Sequence, residues 1–312
     1  MFEDLLNGIF DRNGLYDTEA KAQYLGELRP YAKQLWESYR TQNVTTDYSD
    51  VKIQEAYLLR YFPFYTLPVV KELDALRTDG VTLPEVELLD ACFLGCGLGP
   101  EVIGLMQQLR NSEADTTMLT AKMVDISAAA WSHSREIVRD FLAEPLWESR
   151  LVEYESFTAS LSDTQTLRQM DLEGCHLVVV QNCLNEVPYD ARSKVVDNIL
   201  EVFGRLSPGA IALVIDRDGY RATREMMKKM HKLAAGIERL TPIGDADPPA
   251  KQISCAKMLR DVPSIITDNV LHRSGDPEPA WDQCGLIFSH SVKYICTAFQ
   301  VGAVPATNKV RL

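Results

Sequence analysis

Histidine, tryptophan and cysteine are all scarce in this chain of 312 residues, which holds 5 His, 4 Trp and 7 Cys. The cysteines, at positions 92, 96, 175, 183, 255, 284 and 296, are odd in number and never spaced Cys-x-x-Cys. Neither a disulfide framework nor a zinc ribbon is indicated, and they read as reduced, mostly buried small hydrophobes. His133, His176, His231, His272 and His290 never fall at His-x-x-x-His or another ligand spacing. Each therefore reads more readily as structural than as catalytic, and no metal is expected. No apolar run reaches the roughly 18 residues of a membrane span. Met1-Phe2-Glu3-Asp4 carries acid where a secretory signal needs base, so the expectation is a soluble, cytoplasmic protein. Basic charge is short as well: 32 Lys and Arg stand against 44 Asp and Glu, a net charge of -12. That balance repels phosphate polyanions at long range and disfavours a nucleic-acid partner without a local basic patch.

What is present is globular. Hydrophobic residues make up 46% and charged residues 24%, which excludes a mostly disordered or fibrous chain. The length is about twice that of a typical domain, so one large domain with an appendage and two small domains are both open. The first eighty residues are helical in pattern, with Leu25, Leu28, Tyr31 and Leu35 at helical spacing, and Asp79-Gly80 breaks the run. From Val86 short apolar runs alternate with amphipathic stretches, as βαβ units do. The runs are Val86 to Leu94, Thr117 to Val124, Leu151 to Tyr154, His176 to Val180 and Ala210 to Ile215. Right-handed crossovers would wind five such strands into an α/β, Rossmann-like, doubly wound and mostly parallel sheet.

Two helices in this half are legible in detail. Val195, Ile199, Val202, Phe203 and Leu206 form one apolar stripe before Ser207-Pro208-Gly209. Tyr220 to Ala235 places Met226, Met230 and Leu233 inward and Arg221, Arg224, Lys228, Lys229 and Lys232 on the other face. That basic face is either solvated or a patch for an anion or partner. Residues 241 to 283 are rich in Pro, Asp and Gly and read as a loop-rich insertion around one or two short strands. Ser291 to Phe299 alternates as a final strand, antiparallel at or near the sheet edge.

The segment Phe93-Leu94-Gly95-Cys96-Gly97-Leu98-Gly99-Pro100-Glu101 carries the most information. An apolar strand runs into Gly-x-Gly-x-Gly, and Pro100 sits where a helix's first turn accepts a residue with no N–H. Such a turn is either simply tight or open to a ligand, with free amides at the helix start drawing a small anionic or nucleoside ligand. Nicotinamide dinucleotide sites use G-x-G-x-x-G, and a P-loop needs Gly-Lys-Ser/Thr; neither is present. The second strand ends at Asp125, followed by Ile126 and Ser127. A carboxylate there can accept both hydroxyls of a ribose, or it can cap the next helix, a task open to Ser127 too.

The Gly95-x-Gly97-x-Gly99 spacing resembles motif I of class I S-adenosylmethionine-dependent methyltransferases. Gly174 to Pro188, with Gln181-Asn182-Cys183-Leu184-Asn185-Glu186, resembles that family's fourth strand and following turn, and Leu206-Ser207-Pro208-Gly209 its approach to the fifth strand. The family places Asp or Glu two residues before the first glycine, where it helps hold the cofactor's ammonium group; this chain has Phe93. A looser resemblance, to the mitochondrial small-subunit ribosomal methyltransferase-like family, lies in Ala56 to Tyr65, with Arg60 displaced and the cysteine cluster missing.

The resemblance implies an N-terminal helical cap over residues 1–80 and a cofactor-binding methyltransferase domain over 81–312. It implies cofactor contacts at Gly95, Cys96, Gly97, Leu98, Gly99, Asp125, Ile126 and Asn182, with Tyr57 and Tyr61 from an aromatic segment that is either lid or plain core. Asn182, Glu186 and Tyr65 are the implied catalytic candidates, with Tyr61 and Asp216 nearby. The implied activity is in-line methyl transfer from S-adenosylmethionine, leaving S-adenosylhomocysteine, to a small molecule or a peptide or protein side chain, because Asn-Cys-Leu-Asn is not the Asn-Pro-Pro-Tyr signature of nucleic-acid amino methylases. Two alternatives stay open: a non-catalytic cofactor-binding assembly factor or an rRNA-associated methyltransferase-like protein, and a nicotinamide oxidoreductase. Nothing in the sequence sets an oligomeric state.

Overall fold

The computed structural model describes residues 1–39, 46–148, 150–270 and 288–302. Cys284, His272 and the 271–283 part of the loop-rich insertion lie outside the described residues. Eight strands form one sheet: β1 (Leu88–Leu94), β2 (Met118–Asp125), β3 (Leu151–Thr158), β4 (Leu177–Gln181), β5 (Ile211–Arg217), β6 (Leu240–Ile243), β7 (Lys251–Ser254) and β8 (Ser291–Val301). Their order is β3-β2-β1-β4-β5-β8-β6, with β7 also on β8. The first five are mutually parallel, whereas β8 runs antiparallel to β5, Ile211 facing Gln300 and Arg217 facing Tyr294.

The expected doubly wound, mostly parallel sheet is therefore observed. β8 lies one place in from the edge, because β6 and β7 pair in tandem along its outer side. β3 runs four residues beyond the sequence reading, to Thr158. Glu153 and Glu155 give this edge strand too little apolar character to be followed to its end, and its side chains are largely exposed.

The pleat sorts the sheet's side chains into two cores. Leu89, Ala91, Phe93, Leu177, Val179, Leu213 and Ile215 face one layer; Cys92, Leu94, Val178, Val180, Ala212 and Val214 face the other. The first layer is continuous with Phe2, Leu5, Leu25, Leu28, Leu35, Leu58 and Val69 from the N-terminal helices, which pack on one another and on the crossover helices, with Leu67–Thr78 also meeting β8. The second is closed by helices Arg192–Gly204 and Arg221–Ala234. The stripe Val195, Ile199, Val202 and Phe203 is buried as expected, with Leu206 just beyond the helix end. In the other helix Met226 and Met230 face inward, but Leu233 is 39% exposed and Met227 takes the inward place. Its basic face is paired, Arg221 with Glu225, Arg224 with Asp218 and Asp247, and Lys228 with Asp247, which favours the solvated-face reading over an anion patch. No described helix is long and apolar enough to cross a membrane.

Candidate functional site

In this sheet β1 lies between β2 and β4, so successive crossovers leave it in opposite directions and open a crevice at the strands' carboxyl ends. A cleft of about 1160 Å³ occupies that position. Its floor is the glycine turn. Gly95 has φ +68°, and a Cβ there would stand 2.7 Å from Sγ of Cys183, so the turn after β4 packs directly on it. Gly99, at φ +74°, precedes the helix Pro100–Asn111 in the left-handed region that a side chain resists.

Most of the turn's amides are spent within the protein. Gly95 and Cys96 both donate to the Val124 carbonyl, at 2.7 and 3.3 Å, and Gly99 donates to Cys96 at 2.7 Å. Gly97 donates to Oδ2 of Asp125 at 2.9 Å. Arg135 grips the Gly97 carbonyl from behind, at 2.9 and 2.6 Å. The expectation of free amides drawing a small anionic or nucleoside ligand meets a turn in which Gly95, Cys96, Gly97 and Gly99 already donate within the protein.

What the cleft offers instead is acceptors. Glu101, 2% exposed, has an Oε2 with no partner, and Oε1 of Gln181 and Oδ1 of Asn185 are equally buried and unpartnered. All three residues line the cleft. Gln181 is oriented by its Nε2, which donates to the Tyr65 carbonyl at 2.8 Å. Burial pushes the Glu101 carboxyl up to about 8, with Asp125 adding to the effect. The Glu186 carboxyl, exposed at the cleft, is raised by the protein packed around it and by Asp216 and Asp125. Three carboxyl groups, Glu101, Asp125 and Glu186, face one cation, Arg217, along this wall. A donor-bearing, cationic ligand suits such a lining, and a pyrophosphate does not.

Asp125 closes β2 and holds three donors: Gly97, the Ser127 amide at 2.8 Å and Nε1 of Trp131 at 3.3 Å. It caps its own turn and still lines the cleft. Ile126 beside it is 68% exposed, an apolar side chain held open on the cleft wall. The opposite wall is aromatic. Tyr48 lies 4.5 Å from Trp131 between ring centroids, Tyr57 lies 6.0 Å from Trp131, and Tyr39 and Tyr48 share a hydroxyl contact of 2.7 Å.

Of the residues singled out in the sequence, the cleft gathers Gly95, Cys96, Gly97, Asp125, Ile126, Asn182, Glu186, Tyr57 and Tyr65. Leu98 and Gly99 lie on the far side of the turn, against a separate cavity, and Tyr61 faces a second cavity beyond Tyr65. Asp216 is fully buried and accepts from the Leu184 amide at 2.9 Å and the Arg217 amide at 2.7 Å. It does not line the cleft; it fixes the turn that carries Asn185 and Glu186, which removes it as a base. Asn182 has φ +55°, an unusual non-glycine backbone at the end of β4. The Tyr65 phenol is raised by burial and stays protonated at neutral pH, so it donates or positions and does not abstract a proton. No described histidine lines the cleft: His176 bonds the Asp90 amide, His133 the buried Glu55 and His231 the Gly244 carbonyl.

Glu101, Gln181, Asn185, Tyr39, Tyr48, Trp131 and Arg217 were not singled out as site residues. Glu101 alone carried a signal, an acid directly after Pro100 and the glycines. The other six come from helices, loops and strand ends that only folding brings together.

The seven-place order with β8 reversed beside β5 decides the architecture. This chain has the class I methyltransferase fold. No family model and no curated relative matches the sequence. Solved structures similar to it include an O-methyltransferase family protein from Burkholderia thailandensis, 15% identical over 91% of this chain and 71% of that one, with a TM-score of 0.41. A S-adenosylmethionine-dependent methyltransferase from Clostridium acetobutylicum is 11% identical over 78% and 92%, with a TM-score of 0.39. The CurJ carbon methyltransferase is 10% identical over 92% and 72%, with a TM-score of 0.43.

Proposed function

We propose that the chain is an S-adenosylmethionine-dependent methyltransferase acting on a small molecule or on a peptide or protein side chain. The observation that supports this reading best is the set of unpartnered buried acceptors, Glu101, Gln181 and Asn185, in an acidic cleft at the switch point of the sheet. Each is an acceptor whose desolvation is uncompensated until a ligand supplies donors. S-adenosylmethionine brings an ammonium group, a base amine, two ribose hydroxyls and a positive sulfonium. Phe93, fully buried, offers nothing to the ammonium group; Glu101 would take the place of the absent acid. Asp125 has one lone-pair site beyond its three donors, and the long Trp131 contact is the one a second ribose hydroxyl would replace. Ile126 would cover one face of the base.

When bound, the cofactor supplies a methyl carbon on sulfur; an acceptor's lone pair forms the new bond as the carbon–sulfur bond breaks and its electron pair returns to sulfur. The residues' share is positioning and exclusion of water by the tyrosine wall. Where the acceptor must lose a proton, the ionised form of Glu186 would take it.

Thermal unfolding tests the reading. S-adenosylhomocysteine at 100 times its dissociation constant should add about 2.7 kcal/mol of stability. NAD(H) should add nothing, and Asp125→Ala should lose most of the response. Stabilisation by NAD(H) and none by S-adenosylhomocysteine refutes the assignment. Cofactor binding without labelled methyl transfer to any component of a cell extract would leave a non-catalytic binding factor.

A further inference from the structure

The cofactor leaves part of the cleft unused. Glu101, Asp125 and Ile126 serve its ammonium group, ribose and base, whereas Gln181, Asn185, Glu186 and the tyrosines meet no group of it assigned above. Gln181 ends β4, and Asn185 and Glu186 lie on the turn that follows. Gln181 is 2% exposed and Asn185 6%, and Oε1 of the first and Oδ1 of the second have no hydrogen-bond partner. Because Nε2 of Gln181 is committed to the Tyr65 carbonyl at 2.8 Å, the atom left over is an acceptor. Glu186, next along the turn, brings an exposed carboxyl to the same cleft. One short stretch of chain thus supplies three acceptor groups.

An aromatic wall completes this end of the cleft. Tyr39, Tyr48, Tyr57 and Tyr65 line it, with Tyr57 6.3 Å from Tyr65 and 6.0 Å from Trp131 between ring centroids. Burial raises all four phenols, and Glu186 raises those of Tyr39, Tyr48 and Tyr57 further, so the wall stays protonated and lies within the field of that carboxyl. Arg217, the one lining cation among the described residues, acts instead on Tyr65 and Tyr61. Neutral oxygens, aromatic rings and a carboxyl together attract a cation and repel an anion. The sign of the reaction follows from that lining. Methyl transfer to a neutral amine moves one positive charge from sulfur to nitrogen and keeps it in the cleft, where Glu186 and the rings can stabilise it as it develops. Transfer to an anionic oxygen extinguishes the charge, and the same lining would hold such an acceptor poorly.

We infer that the methyl acceptor is an aliphatic amine, free or carried by a peptide or protein, with its nitrogen held by Gln181, Asn185 and Glu186 and its carbon body against Tyr39, Tyr57 and Tyr65. An ammonium group has three N–H donors, matching the three acceptor groups in number. On arrival it gives one proton to the Glu186 carboxylate. The freed lone pair then forms the nitrogen–carbon bond as the carbon–sulfur bond breaks and its electron pair returns to sulfur. Burial and a neighbouring positive charge both weaken the ammonium group's hold on that proton. The inference rests on the methyltransferase reading.

Two measurements test it. In isothermal titration of the full chain saturated with S-adenosylhomocysteine, 2-phenylethylamine should bind at least about tenfold more tightly than 2-phenylethanol or 3-phenylpropanoate, as a charge-assisted contact requires. Glu186→Gln should remove most of that preference while S-adenosylhomocysteine still binds, which also reports that the variant is folded. In a cell extract supplied with methyl-labelled S-adenosylmethionine, the label should appear on nitrogen, stable to alkaline hydrolysis, and its recovery in the small-molecule or the protein fraction tells a free amine from a side chain. Label on oxygen, sulfur or carbon overturns the amine and leaves the methyltransferase reading standing. S-adenosylhomocysteine binding with no preference for the amine over the alcohol overturns it as well. An amine preference that survives Glu186→Gln places the nitrogen elsewhere and refutes the site. Absence of any S-adenosylhomocysteine binding removes the methyltransferase reading, and the acceptor with it.

Discussion

Glu101 gives the sharpest perturbation, because one atom replacement separates its charge from its shape. The residue is 2% exposed, and burial moves its carboxyl from 4.5 to about 8. Between those values the folded chain keeps a proton that the unfolded chain has released, so stability falls as pH rises through the window. Below pH 4.5 both states are protonated and the penalty is absent; above about 8 both are ionised and it is constant. At about 1.36 kcal/mol per pH unit, a window of roughly 3.5 units caps the penalty near 5 kcal/mol. Glu101→Gln keeps the shape and never ionises. Urea unfolding of both proteins from pH 5 to 9 should therefore show the variant gaining about 2–5 kcal/mol over the wild type as pH rises to 8. A second readout addresses the ligand. An ammonium group beside Glu101 favours the carboxylate, so S-adenosylhomocysteine binding near pH 7 should release about one proton from the wild type and none from the variant. Calorimetry in two buffers of different ionisation enthalpy measures that number. Parallel stability curves for the two proteins refute the buried-carboxyl argument, and equal proton release refutes its pairing with the ligand.

The remaining expectations concern the turns that shape the cleft. Gly95→Ala places a Cβ 2.7 Å from Sγ and 2.8 Å from Cβ of Cys183 in a left-handed backbone; it should lower the melting temperature by several degrees and abolish cofactor-dependent stabilisation. Cys183→Gly in that background should recover part of the loss, and an unchanged melting temperature in Gly95→Ala would show that the turn is not packed as described. Asp216→Ala leaves the Leu184 and Arg217 amides without their acceptor, so urea unfolding should show a loss of about 2–4 kcal/mol. Asp216→Asn, which keeps an acceptor oxygen, should lose less; equal losses would mean that the charge, not the amide bonds, matters there. Tyr294→Phe removes a 2.7 Å bond to the buried Glu72 and should cost about 1–3 kcal/mol, a loss that is absent if Lys251 alone satisfies that carboxylate.

The chain's own pattern determined the parallel strands, because their residues are buried on both faces and read as continuous apolar runs: β1, β2, β4 and β5 fall within one or two residues of where hydrophobicity places them. It determined the glycine turn and Asp125 for the same reason, since strand ends and tight turns are local features set by neighbouring residues. β3 was short in the sequence because an edge strand needs little apolar surface, and β6 and β7 were indistinct because four-residue strands exist by pairing with β8. Tertiary structure alone decided what the site is made of. Val124 and Asp125 spend the amides that local sequence left free, Asp216 is drawn inward to fix a turn, and Glu101, Gln181 and Asn185 become unpaired acceptors by being buried together. Whether a polar atom is satisfied depends on what folding sets against it, and that partner is seldom a neighbour along the chain.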